Sequence, residues 1–188
     1  MNFGKYTMFN NSKKVFISGQ LKYSLLVAFL VVIFIAVAYL LVIFINKYGD
    51  KKDYDNLFFT RDTHYENYLD TQEGKKLPVP HCIRDTEGWQ IRSELDALRK
   101  TEPIDKETFG STDLAGELVA MNEDNEIESI TFVGLCTDIC VISNALLAKA
   151  SLPEVPIIVD AKCCAGVTPE SHENALKAME VCQIQIDR

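Results

Sequence analysis

The chain has 188 residues, enough for one ordinary domain, and carries 27 acidic against 19 basic side chains for a net charge of −8. That balance offers no basic footprint and argues against a nucleic-acid partner. The charge is unevenly spread, because residues 1–49 hold no Asp or Glu and every acidic residue lies from Asp50 onward.

The first predicted element is apolar. Leu25 to Ile45 runs for 21 residues without a charge, with Tyr39 its nearest approach to a polar group. About 20 apolar residues cross the hydrocarbon core of a bilayer. Residues 24–46 therefore predict a transmembrane-type helix behind a basic tail at 1–23, ahead of a domain at 47–188. A secretory signal core is shorter, about 7–15 residues, and no small-x-small cleavage site follows. The alternative, a buried helix apolar on every face, needs a large protein around it. Lys13, Lys14 and Lys22 before the segment are matched by Lys47, Lys51 and Lys52 after it, so the positive-inside rule gives no orientation.

From about Leu57 the pattern is that of an α/β domain. Short apolar runs at Leu57–Phe59, Ile130–Val133 and Ile157–Val159 alternate with helical periodicity over Ser111–Met121, Val141–Ala150 and Pro169–Val181. Strand and helix in alternation predict a Rossmann-like parallel sheet in three layers, with helices on both faces. Thr168-Pro169-Glu170 opens the last helix with a capping hydroxyl, a proline at the first helical position and an early acid. The stretch Asp62–Gly88 has little periodicity and several turn-formers, and a loop this long in such a fold is usually functional.

Chemistry concentrates at three places. In "TFVGLCTDICVISNALLAKA" a strand hands over to a helix at a cysteine pair, Cys136 and Cys140. A thiol in the first turn of that helix meets unpaired N–H groups and the positive end of the helix dipole, which favour a thiolate and can hold an oxyanion. Both cysteines read equally well as small buried apolar residues. The loop contains Asp62, His64, Glu73 and His81, donors suited to Zn²⁺, Mn²⁺ or Fe²⁺, although it also reads as a solvated charged loop. Lys106, taken alone, is an ordinary lysine. His172, the remaining histidine, reads as a surface residue of the last helix, and Trp89 fits no motif. The six cysteines include the awkward adjacent pair Cys163-Cys164 and no metal-type CxxC, which points to reduced thiols facing the cytoplasm.

"GLCTDICVISNALLAKA" resembles the nucleophile motif of the isochorismatase-like cysteine hydrolases, the superfamily that includes nicotinamidases. Thr137-Asp138-Ile139-Cys140-Val141 matches it position for position, and the resemblance extends from about Asn46 to the C-terminus. It implies Cys140 as nucleophile, a cis peptide at Leu135–Cys136, and the amides of Cys136 and Cys140 as an oxyanion hole. "IDKETFGSTDL" resembles the family's lysine segment, implying Lys106 as the catalytic lysine, beside the thiol and lowering its pKa, and Phe109 as a pocket wall. The Asp-x-His and Glu…Pro-x-His pattern resembles the nicotinamidase metal site, implying Asp62, His64, Glu73 and His81 as ligands of one divalent metal that holds a pyridine nitrogen. The implied activity is hydrolysis of a small aromatic amide, nicotinamide to nicotinate and ammonia, through a cysteine thioester in NAD salvage. The implied partners are that small-molecule amide and, through residues 25–45, a membrane, with the catalytic domain on the cytoplasmic side; a homo-oligomer stays open. One feature of the family is missing. Its first strand ends in the aspartate that acts as general base, and residues 1–49 contain no carboxylate. The alternative to an enzyme is therefore a catalytically impaired binding module that keeps the metal and the pocket.

Overall fold

The computed structural model describes residues 56–188. The expected tail at 1–23 and anchor at 24–46 lie outside the described residues. Among the described residues no helix is long and apolar enough to cross a membrane.

The described residues form five parallel strands: β1 (Thr60–Asp62), β2 (Ile104–Lys106), β3 (Ile130–Leu135), β4 (Ile157–Ala165) and β5 (Gln185–Asp187). The helices are α1 (Gln72–Lys76), α2 (Ser93–Asp96), α3 (Thr112–Asp124), α4 (Ile142–Ser151) and α5 (Pro169–Val181). The three long helices stand where the periodicity predicts them. Ser111 caps α3 by accepting from the Leu114 N–H, and Thr168 caps α5 in a reciprocal capping box with Ser171, with Pro169 in the first turn.

Two expectations need correction. The run Leu57–Phe59 is not the strand itself, because β1 begins at Thr60. Phe58 packs against the core instead, and the Phe59 carbonyl accepts from the Ile104 N–H at 2.8 Å, which continues the ladder backwards. Nor do the strands among the described residues form one continuous sheet. β1 pairs with β2, while β4 lies between β3 and β5 in a second sheet. Among the described residues no strand pairs with the remaining edge of β1 or of β3, so nothing there joins the two.

The core belongs to the second sheet and its helices. Leu114 and Leu118 of α3, Ala145 and Ala148 of α4, and Leu176 and Met179 of α5 close over Ile157 and Val159 of β4. β4 is nearly continuous in burial, as parallel strands covered on both faces are, whereas β1 is only half-buried throughout. At the carboxyl end of β3 the register with β4 shifts between Phe132 and Gly134, where Gly134 takes a φ of +125° that side chains strongly disfavour. The irregularity lies two residues before Cys136.

Candidate active site

The turn that follows β3 carries the thiol. The Leu135–Cys136 peptide is cis, as the resemblance implies. Residues Thr137–Val141 then wind in a single wide turn, with the Ile139 and Val141 N–H groups both donating to the Cys136 carbonyl at 3.1 and 3.0 Å. The expected α-helical first turn is thus a π turn, a form often found at functional positions. None of the six cysteines is in a disulfide.

Cys140 Sγ lies 3.5 Å from Lys106 Nζ. Lys106 closes β2 and is buried; its ammonium also donates to Asp62 Oδ1 at 2.8 Å and to the Thr108 carbonyl at 3.2 Å. Burial pulls the Lys106 pKa down, but the hydrogen bond to Asp62 and the charge of Cys140 prevail and hold it above its ordinary value. For Cys140 the balance runs the other way. Burial pushes the thiol up, and the Lys106 cation and the Cys136 backbone N–H pull it down without overcoming that. The cation effect expected from the sequence is present, but desolvation outweighs it.

Asp62 sits where two groups of side chains meet. Its Oδ1 serves Lys106, and its Oδ2 lies 3.4 Å from His64 Nε2 and 3.7 Å from His81 Nε2. Glu73 Oε1 is 3.6 Å from each of the same two nitrogens. All four expected ligands therefore converge. Two donors about 2.1 Å from a shared tetrahedral ion stand about 3.4 Å apart, close to the separations seen here. His64 Nε2 is buried, points into this cluster and has no hydrogen-bond partner among the described residues, an arrangement that costs free energy unless something binds there. The donor set and the orphaned nitrogen fit a divalent transition metal, with Asp62, His64 and His81 the tightest group. His81 is oriented by its Nδ1, 2.9 Å from the Val79 carbonyl, a typical outer contact for a ligating imidazole.

Several contributing residues escape a reading of the sequence. Tyr68, almost fully buried, packs its ring 4.7 Å from His64 and 5.1 Å from His81, and its hydroxyl donates to the Leu77 carbonyl at 3.0 Å. Trp89 is buried next to β1: its Nε1–H donates to Thr63 Oγ1 at 2.9 Å and Arg61 stacks on its ring at 3.4 Å. Asn144, four residues after Cys140, donates to the Cys140 carbonyl at 2.8 Å and the Phe109 carbonyl at 3.2 Å while accepting from the Ser111 N–H at 2.9 Å. It ties the thiol turn to the lysine segment. Phe109, the expected pocket wall, is 45 % exposed. His172 is not a free surface residue but half-buried, with Nδ1 2.8 Å from the hydroxyl of Thr137.

These groups gather at the carboxyl ends of β1, β2 and β3, the end of a parallel sheet where ligands bind. A shallow cavity of about 450 Å³ at the opposite ends of β3 and β4, lined by Glu126, Glu128 and Glu154 among others, contains none of them.

Residues 45–187 match the Isochorismatase domain family. In structure the chain is similar to nicotinamidase PncA from Bacillus subtilis, at 25 % identity over 79 % of this chain and 82 % of that one, with a TM-score of 0.61. A pyrazinamidase/nicotinamidase from Streptococcus mutans aligns at 26 % identity over the same shares, 79 % and 82 %, with a TM-score of 0.61. The pyrazinamidase of Pyrococcus horikoshii, solved in complex with zinc, shares the fold at 23 % identity over 77 % of this chain and 80 % of that one, with a TM-score of 0.57. No curated protein matches the chain significantly in sequence. With a matched stretch covering most of its length and nicotinamidases among its structural neighbours, the chain belongs to the isochorismatase family, on its nicotinamidase-like branch.

Proposed function

We propose that the protein hydrolyses the amide of a small aromatic carboxamide, with nicotinamide as reference substrate, through a thioester on Cys140. The observation that carries this reading is the Lys106 ammonium, held between Cys140 Sγ at 3.5 Å and Asp62 Oδ1 at 2.8 Å. Paired with that cation, the sulfur attacks the carbonyl carbon, and the N–H groups of Cys136 and Cys140 receive the oxyanion. The amide nitrogen departs as ammonia after gaining a proton, and water then hydrolyses the thioester, returning the thiol and releasing the carboxylic acid.

The family's dedicated aspartate has no counterpart within residues 1–49, so Asp62 is the carboxylate proposed to accept the thiol proton by way of Lys106. Asp62 is shared, since its second oxygen faces His64 and His81. A metal held by Asp62, His64, Glu73 and His81 would bind the substrate's ring nitrogen as a Lewis acid; this chain's part is to orient the ring so that its amide reaches Cys140. Dividing one carboxylate between two tasks sets turnover about 10²–10⁴-fold below relatives that keep the separate base. Ammonia release from nicotinamide, compared between the wild type and Cys140→Ala, tests the reading.

One observation favours a second reading. Burial raises the Cys140 pKa against the pull of the Lys106 cation, which disfavours the thiolate. A protein that binds metal and aromatic amide without turnover would show nicotinamide binding and Cys140-independent background hydrolysis. Membrane attachment through residues 25–45 belongs to the same proposal: the full chain is expected to sediment with membranes, and its release without detergent would refute the anchor.

A further inference from the structure

The β4–α5 connection contacts the thiol turn through two consecutive side chains. Thr137, fully buried, has its hydroxyl 2.8 Å from His172 Nδ1, and the Asp138 carboxylate accepts from the Val167 N–H at 3.1 and 3.3 Å. His172 is itself firmly placed. Its N–H donates to the Thr168 carbonyl at 2.9 Å, directly behind the Thr168–Ser171 capping box. On the other side the chain at Gly166 comes so near that a Cβ there would lie 2.9 Å from the His172 N, Cα and Cβ atoms. An imidazole carried on closely packed backbone thus meets a hydroxyl that is fully buried. A buried hydroxyl left unpaired is costly, so the Thr137 side chain is held where His172 is.

We infer that His172 is a positioning residue for the thiol, acting through Thr137 to fix the turn that sets Cys140 against Lys106. Thr137 opens the Thr137–Val141 turn, and the direction of Sγ depends on how that turn is wound. Without the tether the turn has one fewer constraint, and Sγ can swing away from the ammonium 3.5 Å distant. The inference rests on the proposed role of Cys140 as the reacting thiol, yet it can be read from the thiol alone, without turnover.

The test is the rate at which iodoacetamide labels Cys140 in the full chain, followed by peptide mass spectrometry, with exposed Cys182 as internal reference. His172→Ala and Thr137→Val should each slow Cys140 labelling by roughly tenfold, in the range that small misplacements produce, and leave Cys182 unaffected. The double variant should be no slower than either single one, because both remove the same tether. His172→Asn, which puts an amide where Nδ1 stood, should restore most of the rate; His172→Gln, whose amide reaches toward the Nε2 position, should not. A lost α5 cap contact or general loosening would lower the melting temperature in every variant without separating Asn from Gln. Wild-type labelling in His172→Ala, multiplicative losses in the double variant, or an Asn variant as slow as Ala would each overturn the inference. If His172→Ala fails to fold, the Asn, Gln and Thr137→Val variants still decide it. Ammonia release separates this from the functional reading: predicted labelling ratios with no hydrolysis would defeat the hydrolase and leave the positioning role standing.

Discussion

The thiol and the candidate metal ligands lie on two differently built parts of the molecule. Cys140 stands on a turn between β3 and α4, beside the apolar core, and is held by Asn144 on the long helix α4 and His172 on the long helix α5, with Lys106 at the end of β2 across from it. The ligand loop instead hangs on a three-residue strand and short turns. Its order comes from local polar bonds, such as Thr71 Oγ1 accepting from the Gly74 N–H at 3.0 Å and the Tyr68 hydroxyl reaching Leu77. A nucleophile that must keep one direction is placed by packing; ligands that an ion would complete are placed by polar contacts left partly open. Segments poor in buried apolar contacts occupy the low end of local stability, and bound metal would raise it.

The largest expected effect lies on the thiol side. Cys140→Ala should reduce ammonia release by about 10⁴–10⁶-fold, to background, with melting temperature nearly unchanged. Lys106→Ala touches both parts, since it removes the partner of Cys140 and of Asp62 together. It should lower turnover by about 10²–10⁴-fold and also weaken metal binding, because an unpaired Asp62 is free to turn. An effect on turnover with metal affinity intact would show that the two parts are energetically separate.

Stability should divide along the same line. Leu176→Ala opens a fully buried core position on α5 and should cost about 2–5 kcal/mol whether or not metal is present. His64→Ala should cost less in the metal-free protein, since His64 Nε2 is unpartnered there. It should, however, abolish the stabilisation by added zinc that the wild type shows, about 2.7 kcal/mol at a hundredfold excess over Kd. Equal zinc stabilisation in the two proteins would refute the cluster as a metal site.

Alkaline pH should reach the thiol side and, through Tyr68 and Cys82, which burial also raises, the ligand loop. Burial raises Cys164 from 9.0 to about 12 and Cys136 from 9.0 to about 11, and Cys140 and Lys106 are raised as well. A group whose pKa is higher in the folded state contributes its full stability below its unfolded value and loses it as pH rises through the folded value. The loss should therefore begin near pH 9 and continue toward 11–12, with Cys164 contributing about 4 kcal/mol at most. Urea midpoints measured at pH 8 and pH 10.5 check this, and Cys164→Ala should flatten the difference.

Legibility in the sequence follows the same division. The long helices were readable because each repeats an apolar face, with a Ser or Thr cap on α3 and α5 and Pro169 at the start of α5, and they stand within three residues of the predicted ends. β2 and β5 were not, since three residues carry no period. The site residues could be named from motif spacing, yet what holds them could not. Asn144 looks like one more residue of a helix, and only folding shows its amide between two loops. His172 presents a polar residue early in an amphipathic helix, which is how surface residues look; its partner Thr137 is 35 positions away in sequence. Trp89 is explained by Thr63 and Arg61, again through contacts that no local pattern encodes. The net rise of the Cys140 pKa is equally hidden, because charge can be read from residue identity and desolvation cannot.

The central claim is that Cys140, paired with Lys106, cleaves an aromatic amide. Its most direct measurement is the mass of the intact protein, quenched in acid during incubation with zinc and nicotinamide. A small population heavier by one nicotinoyl group is expected, located on the Cys140 peptide, absent from Cys140→Ala and accompanied by free ammonia. Ammonia released equally by wild type and Cys140→Ala, or a wild type that binds nicotinamide and yields neither adduct nor ammonia, would contradict it.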